Sequence, residues 1–323
     1  MTIVYACDDN YAGITSVSAT SVLKWNHDVR IVLLGNGLRQ ESIDQISSRV
    51  VRHGGIFEHI DVSNRLTDIS AKGFTSYTSY AAYSRLFIAD LLKEETGRIL
   101  YLDCDTLVLG PLDELFAMEL NDRPFAFGFD CIPASYKKYV NIAADAPYYN
   151  SGVMLADLSA WRKCGASDAL KAEFASPHGP NPLGDQDMIV RAWKEFITPL
   201  PPRWNFLSQY FMFNYDGVRS INGHAAPWAS ESEYLTAQRS PIICHFSGHT
   251  LGRPWYTSSK HPMRQRYIEA AKEADLYEIA QQVRPMTIPY AIQYWLWKLL
   301  PLAVFQPLGR LMLRLHVLLT YKV

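Results

Sequence analysis

The segment Arg98 to Leu109, RILYLDCDTLVL, ends an apolar run in two carboxylates one residue apart. In an extended segment, side chains two positions apart share a face, so Asp103 and Asp105 converge on one cation while Cys104 points away. Two anionic oxygens on one face suit a hard divalent ion such as Mg²⁺ or Mn²⁺. Taken alone, the pair reads equally well as a strand that stops in a polar turn. Two distant segments bear on the choice. Ile3 to Tyr11, IVYACDDNY, is a short buried strand running into a polar loop. In open α/β sheets the crevice beyond the strand ends is the usual ligand site, which places Asp8, Asn10 and Tyr11 to meet a small molecule. A ring beside an amide and a carboxylate can stack on a nucleobase and bind its edge and ribose hydroxyls; the same residues also make an ordinary Asp-Asp-Asn turn. Pro241 to Trp255, PIICHFSGHTLGRPW, is another apolar strand, stopping at His245 and opening into a loop with Arg253. With His245 beside the two Asp the donor set becomes mixed oxygen and nitrogen, which Mn²⁺ tolerates well, and Arg253 can neutralise a phosphate. A histidine at a strand end is also a common structural residue.

The elements that must position these groups alternate. Strands are expected at 2–7, 29–34, 56–61 and 98–103, with helices at 12–25, 40–50 and 79–93, a pattern that implies a mostly parallel sheet covered by helices. Beyond 110 the pattern is mixed: strands at 124–130 and 152–156, helices at 158–175 and 185–195, a Pro/Gly-rich loop at 177–184 and a polar helix at 262–283. In this frame Asp130 ends the strand-like FAFGFD. Asp185 precedes the amphipathic DQDMIVRAWKEF, where an Asp often caps a helix. Arg85 lies in the helically spaced SYAAYSRLFIADLL, as an ordinary solvated or salt-bridged residue.

The three chemical segments together resemble glycosyltransferase family 8, retaining enzymes that include bacterial lipopolysaccharide galactosyl- and glucosyltransferases and the glycogenins. Six family motifs occur in order over roughly residues 1 to 255: Ala6-Cys7-Asp8-Asp9-Asn10-Tyr11, Tyr83-Ser84-Arg85-Leu86, Asp103-Cys104-Asp105, Asn150-Ser151-Gly152-Val153, Asp185-Gln186-Asp187 and His245-Phe246-Ser247-Gly248. The resemblance implies an α/β fold of the GT-A type, Rossmann-like, with a mostly parallel mixed sheet flanked by helices. It implies that Asp8, Asn10 and Tyr11 hold uridine, with Ala6 and Cys104 contributing backbone, and that Asp103, Asp105 and His245 hold Mn²⁺ (or Mg²⁺) on the diphosphate, beside Gly248 and Arg253. Arg85, Asp130, Asn150, Asp185 and Gln186 would surround the donor sugar. The chain departs from the family at Arg253, which stands where a Lys precedes Pro-Trp, and at Cys104 between the two Asp. The implied activity is transfer of galactose or glucose from a UDP-sugar to a saccharide, with retention by a same-face mechanism, since Gln186 is a poor nucleophile. Two rivals remain: DCDTLV also resembles the first motif of haloacid-dehalogenase-type phosphatases, and the chain can be a non-catalytic UDP-sugar-binding scaffold.

Composition sets outer limits. A chain of 323 residues, 48% apolar, can bury a large core, and a net charge of −1 gives no electrostatic case for nucleic acid. Five cysteines without CxxC spacing argue against a disulfide framework and a structural zinc site. No signal peptide is evident at the start. The expected division is a catalytic unit at 1–260 and a C-terminal helical region at 261–323. Residues 284–323 are rich in Leu and aromatics, yet Lys298, Arg310 and Arg314 interrupt every run that approaches the roughly 20 apolar residues of a spanning helix. Arg310 and Arg314, four apart, share a helical face, and Trp295 and Trp297 suit a headgroup region. The tail is expected to be a peripheral anchor, placing a cytoplasmic enzyme on the inner face of the membrane. Its acceptor would be an oligosaccharide or glycolipid such as lipopolysaccharide core.

Overall fold

The computed structural model describes residues 1–71, 80–223, 229–248 and 250–321. Ten strands are found among them: β1 Thr2–Cys7, β2 Arg30–Gly35, β3 Ile56–Asp61, β4 Arg98–Leu102, β5 Thr106–Val108, β6 Phe125–Phe129, β7 Tyr149–Asp157, β8 Ile197–Pro199, β9 Phe206–Leu207 and β10 Ile243–His245. Seven form one sheet in the order β3-β2-β1-β4-β7-β6-β8, and the other three form a small sheet, β5-β10-β9. β1 pairs in parallel with β2 and β4, as does β2 with β3 and β6 with β8, while β7 runs antiparallel between β4 and β6. This is the mixed, mostly parallel α/β arrangement that the sequence implies.

Near-continuous apolar strands mean a sheet buried on both faces, and the period of two divides their side chains between two cores. Ile3, Tyr5 and Cys7 of β1 join Leu100 and Leu102 of β4 on one side. Val4 and Ala6 join Ile99 and Tyr101 on the other. A third core, around Phe206, Tyr210 and Tyr234, lies beneath the C-terminal region and takes in Phe305.

Strand direction collects the chemistry at one edge. β1 and β4 are parallel, so the chain leaves both at the same end, carrying Asp8–Tyr11 and Asp103. β7 opposes β4 with Leu102 across from Val153, which starts Asn150, Ser151 and Gly152 at that edge; the Asp103 amide donates to the Gly152 carbonyl at 2.7 Å. β6 opposes β7, with Phe129 across from Tyr149, and delivers Asp130 there.

Several elements differ from expectation. Asp103 and Asp105 sit in a tight turn between β4 and β5, closed by Thr106, whose amide and hydroxyl both donate to the Asp103 carbonyl at 3.2 and 2.8 Å. Turn geometry, and not an extended strand, converges the two carboxylates. Cys104 points away as expected, its thiol against the Ala6 carbonyl. The segment read as a helix at 79–93 is a 3₁₀ helix, Tyr80–Phe87, followed by one α turn, Ile88–Leu91; residue 79 lies outside the described residues. Within it Ser84 Oγ and Arg85 Nε donate to the carbonyls three residues back, competing with α-helical bonds. The helix expected over 158–175 breaks into Leu158–Lys163 and Ala166–Ala175 because Gly165 adopts a left-handed backbone, φ 78°. The polar helix is shorter, Arg264–Glu273, and packs Tyr267, Ile268 and Ala271 into the first core.

The tail forms two helices, Ile288–Leu299 and Leu302–Tyr321. Trp297 packs toward the third core, so only Trp295 remains exposed of the two tryptophans assigned to a headgroup region. Arg310 is half-buried, and the Arg314 side chain lies outside the described residues. No described helix is long and apolar enough to cross a membrane.

The second core is centred on rings: Phe125 stacks on Trp193 at 4.3 Å, Trp161 meets Trp193 edge-on at 5.2 Å, and Trp193 Nε1 donates to the Ala166 carbonyl. Trp193→Ala is therefore expected to lower stability by about 3–5 kcal/mol in chemical denaturation. A loss under about 1 kcal/mol would mean that the site collapses around the deletion.

Candidate active site

Asp103, Asp105 and His245 offer one ligand atom each within 4.8 Å of one another. The small sheet brings His245 there: β10 pairs His245 with Thr106 of β5 and Leu207 of β9, and the Phe246 amide donates to the Asp105 carbonyl at 2.9 Å. His245 Nε2 lies 3.2 Å from Asp105 Oδ1 and 3.8 Å from Asp103 Oδ2. The other oxygen of each carboxylate is held by an arginine. Arg85 Nη2 lies 2.9 Å from Asp103 Oδ1, which also accepts from Tyr101, and Arg253 pairs with Asp105 Oδ2. Two oxygens and one imidazole nitrogen thus face a common point with their opposite sides already fixed. On its far side, His245 Nδ1 lies 3.2 Å from Asn205 Oδ1. With Nδ1–H donating to that oxygen, Nε2 keeps a lone pair for a cation.

The close approach of His245 and Asp103 depends on a missing side chain. A Cβ on Gly152 would meet His245 Cε1 at 2.2 Å and Asp103 Oδ2 at 2.6 Å. Gly128 does the same service one step back, since a Cβ there would meet Asn205 Cβ at 2.7 Å. Donor chemistry and cradle both fit a divalent ion of the Mn²⁺ or Mg²⁺ class.

A buried chain of amides leads away from the metal trio. Asn205 Nδ2 donates to Asn150 Oδ1 at 3.0 Å; Asn150 Nδ2 donates to Asp130 Oδ2 and Gln186 Oε1, both at 3.1 Å; and Gln186 Nε2 donates to Asp130 Oδ2 at 3.0 Å. The Ser151 amide also donates to Gln186 Oε1 at 3.1 Å. The structure therefore brings Asp130, Asn150 and Gln186 together and ties them to His245. Asp185 is reached through Arg85, whose Nε lies 3.0 Å from Asp185 Oδ2 in an ion pair that lacks hydrogen-bond alignment. Arg85 is 2% exposed and stacks over the Tyr101 ring at 4.5 Å, so of the two readings, solvated or salt-bridged, the second holds: it is a buried counter-charge. Nor is Asp185 a cap: Gly184 holds the N-cap position and Asp185 the first helical one.

The remaining candidates line the approach. Asp8 accepts from the Asn10 amide at 3.0 Å and caps the 3₁₀ turn Asp9–Tyr11, leaving Asn10 exposed and Tyr11 half-buried, within electrostatic range of Arg253 and Asp105. Asp9 turns away to pair with Arg39. Gly248, at φ 78°, packs on Gln209, and Ser247 donates to the same side chain. Sequence reasoning missed Asn205. It follows a 3₁₀ turn, Pro202–Trp204, in an irregular segment, and nothing local marks it.

Charge explains the titration of the site. Burial alone would raise Asp105, but Arg253 and His245 beside it hold its carboxyl well below the usual range. Burial pushes the His245 imidazole down and Asp105 pushes it up further, so the net direction is upward. Asp130 is raised by burial, against hydrogen bonds from Asn150, the Cys131 amide and Gln186. Asp185 is raised to about 6 because desolvation outweighs Arg85. Asp187 is raised to about 6 by burial as well, although Tyr148, the Leu183 amide and Tyr136 all donate to it.

Residues 2–258 match the family model described as Glycosyl transferase family 8. The chain belongs to this family. It is 27% identical over 275 residues to General stress protein A of Bacillus subtilis (strain 168), covering 83% of this chain and 92% of that protein. It is 22% identical over 272 residues to the lipopolysaccharide 1,2-glucosyltransferase of Escherichia coli (strain K12), covering 83% and 76%. Against five glycosyltransferases of Streptococcus pneumoniae it spans less than two thirds of the partner, from 30% of GlyD to 63% of GlyF. The crystal structure of the galactosyltransferase LgtC with donor and acceptor sugar analogs superposes with a TM-score of 0.68 over 84% of this chain and 95% of that one, at 24% identity, a likeness of fold. Family membership makes this chain a glycosyltransferase of GT-A fold and removes the phosphatase reading of Asp103.

Two outcomes test the site. Gly152→Ala is expected to weaken Mn²⁺ binding at least as much as loss of an outer-sphere partner does, about 10–100-fold, in an electron paramagnetic resonance titration with the fold intact by circular dichroism. Unchanged affinity would show that the cation does not sit between Asp103 and His245. The second concerns Asp187. Its proton is held more tightly folded than unfolded, so its contribution favours the fold below about pH 4 and is lost as pH rises through about 6. Between those values wild type should lose on the order of 3 kcal/mol relative to Asp187→Asn in urea titrations, seen as a difference in slope against pH. Parallel slopes would refute a buried, raised carboxyl.

Proposed function

We propose that the chain transfers a hexose, galactose or glucose, from a UDP-sugar to a saccharide acceptor with retention, using Asp103, Asp105 and His245 to hold Mn²⁺. The observation that carries this reading is the ligand trio in its glycine cradle, with two arginines holding the opposite carboxylate oxygens. The ion, when bound, supplies charge neutralisation for the diphosphate as the bond to the anomeric carbon breaks. Arg253, beside Asp105, adds a fork of donors for the same phosphates. Asp8, Asn10 and Tyr11 take the uridine at the ends of the strands, Tyr11 by its ring face, with the backbone of Ala6 and Cys104 flooring the pocket and Gly248 admitting the diphosphate.

On the sugar side, Asp185 Oδ2 is buried with only an ionic partner and keeps accepting capacity for a donor hydroxyl. Asp130 and Asn150 present further polar atoms from the same edge. The amide of Gln186 supports same-face transfer: both lone pairs of Oε1 accept, from Ser151 and Asn150, so it has none free to attack the anomeric carbon. The acceptor hydroxyl then passes its proton to the departing phosphate, and the configuration is kept.

The catalytic unit is assigned to 1–260, since every site residue precedes its end. The region 261–323 buttresses it with the helix Arg264–Glu273 and continues into the tail, which is assigned to the inner membrane surface, where the acceptor would be a lipid-linked glycan such as lipopolysaccharide core. Its exposed Ile288, Ile292, Trp295 and Leu299 lie along one face of Ile288–Leu299, and no Asp or Glu follows residue 278. Each Lys or Arg near an anionic lipid surface contributes about 1 kcal/mol.

UDP release from UDP-galactose and UDP-glucose, with and without Mn²⁺, tests the reading. Release from one of them should require the metal, vanish in Asp103→Asn, and give a product with the donor's anomeric configuration by NMR. UDP binding without turnover, with glycan acceptors supplied, would favour a non-catalytic scaffold.

A further inference from the structure

The loop that carries Gly248 and Arg253 does not close on the site alone. It is strung from the tail. Thr250 Oγ1 donates to Gln293 Oε1 at 2.6 Å; Tyr256 forms a parallel bridge with Gln282; the Thr257 amide donates to the Gln282 carbonyl at 2.9 Å; Arg284 Nη1 donates to the Tyr256 hydroxyl at 3.0 Å; and Ser258 donates to the Arg284 carbonyl. These contacts lie on both sides of Arg253, the guanidinium that pairs with Asp105. Gln293 sits in the middle of Ile288–Leu299, whose Tyr294, Leu296 and Trp297 pack toward the third core.

Among the described residues, the opposite face of that helix stands exposed. Ile288, Ile292, Trp295 and Leu299 recur at helical spacing and are 77%, 52%, 54% and 73% exposed, along a groove of about 450 Å³. From 284 onward the chain carries Arg284, Lys298, Arg310, Arg314 and Lys322 and no acid, while the chain as a whole has a net charge of −1. An apolar stripe on a segment whose charged side chains are all cationic is complementary to an anionic bilayer, which offers negative headgroups and an apolar interior to the same face.

The geometry points to a coupling: seating of Ile288–Leu299 on an anionic bilayer and the hold of the Thr250–Ser258 segment, with Arg253, on a metal-bound nucleoside diphosphate stabilise each other. The step rests on the tail and diphosphate assignments above and adds their linkage. A bilayer that fixes residues 282–293 fixes both attachments of the loop before the nucleotide arrives, so less ordering is left for binding to offset. Linkage makes the effect reciprocal: if the bilayer tightens UDP binding by some factor, UDP with Mn²⁺ tightens bilayer binding by the same factor.

The test uses the full chain with vesicles of phosphatidylcholine, alone or mixed with phosphatidylglycerol. Cosedimentation reads seating, and calorimetry with Mn²⁺ reads UDP affinity. The chain should sediment with the anionic vesicles only, bind UDP about fivefold or more tightly on them, and sediment more strongly when UDP and Mn²⁺ are present. Gln293→Leu, which cuts the Thr250 contact and leaves the charges in place, should still sediment and lose most of the gain. Lys298→Glu with Arg310→Glu should lose sedimentation and gain together while binding UDP as wild type does without vesicles. Sedimentation with UDP affinity unchanged within about twofold overturns the coupling, and failure to sediment, or self-association of the chain through this face, overturns the bilayer as its partner. Failure to bind UDP at all removes the donor assignment and the coupling with it, and is told apart by sedimentation that persists.

Discussion

Ionised carboxylates at the edge of an apolar sheet are tolerated only where a counter-charge is buried with them, because the desolvation cost amounts to several kcal/mol per ion. Arg85 meets that constraint here. Its guanidinium lies between Asp103 and Asp185, under the Tyr101 ring, with one nitrogen on the Ser151 carbonyl and another on that of Ala82. Those partners come from β4, β7, the helix Asp185–Trp193 and the 3₁₀ segment Tyr80–Phe87. One side chain therefore fixes the relative positions of the elements that supply the Asp103–Asp105–His245 trio and the Asp130–Asn150–Gln186 cluster. The 3₁₀ geometry of its own segment is part of this, since Arg85 and Ser84 both spend donors on carbonyls three residues back.

What Arg85 does with charge, the amides do with direction. From His245 Nδ1 through Asn205 and Asn150 to Asp130, each group donates to the next, and the carboxylate at the end accepts from Asn150, Gln186 and the Cys131 amide. Such a chain has one self-consistent orientation. Reversing Asn205 would face its amide against the ring nitrogen, and reversing Gln186 would leave the Ser151 amide against an NH₂ group. The orientation of the imidazole beside Asp103 and Asp105 is thereby set from Asp130, through two intervening asparagines.

Much of this was legible in the sequence. The run of apolar strands announced a sheet buried on both faces, and the two-carboxylate word, the strand-end His245 and, through the family resemblance alone, the Asp-Gln-Asp segment named residues that the structure brings together. Legibility failed where the decisive contact is tertiary. Asp103 and Asp105 converge through a turn held by Thr106 and β5, which local spacing cannot distinguish from an extended strand. Asp185 looked like a cap because its only strong partner, Arg85, lies one hundred residues earlier in a segment that itself looked like a solvated helix. Asn205 was invisible, since an asparagine after a turn is unremarkable until Gly128 opens the space that lets it approach. Trp297 was assigned to a surface from composition, whereas its side of the helix is decided by the third core, built from segments between Cys131 and Phe305.

Arg253 stands where the family resemblance implies a Lys, and the geometry gives that difference a consequence. A lysine is a compact charge that meets one anion at a time in effect. An arginine presents a planar fork, and here one nitrogen serves both Asp105 and the Phe246 carbonyl, leaving the other guanidinium nitrogens outside those two contacts. Such a group can keep its hold on a carboxylate while it receives a second anion. Because the same loop is attached to the tail through Thr250 and Tyr256, the position of that fork depends on segments outside the nucleotide pocket. A lysine would transmit less of that dependence, since its single ammonium does not have to be aimed.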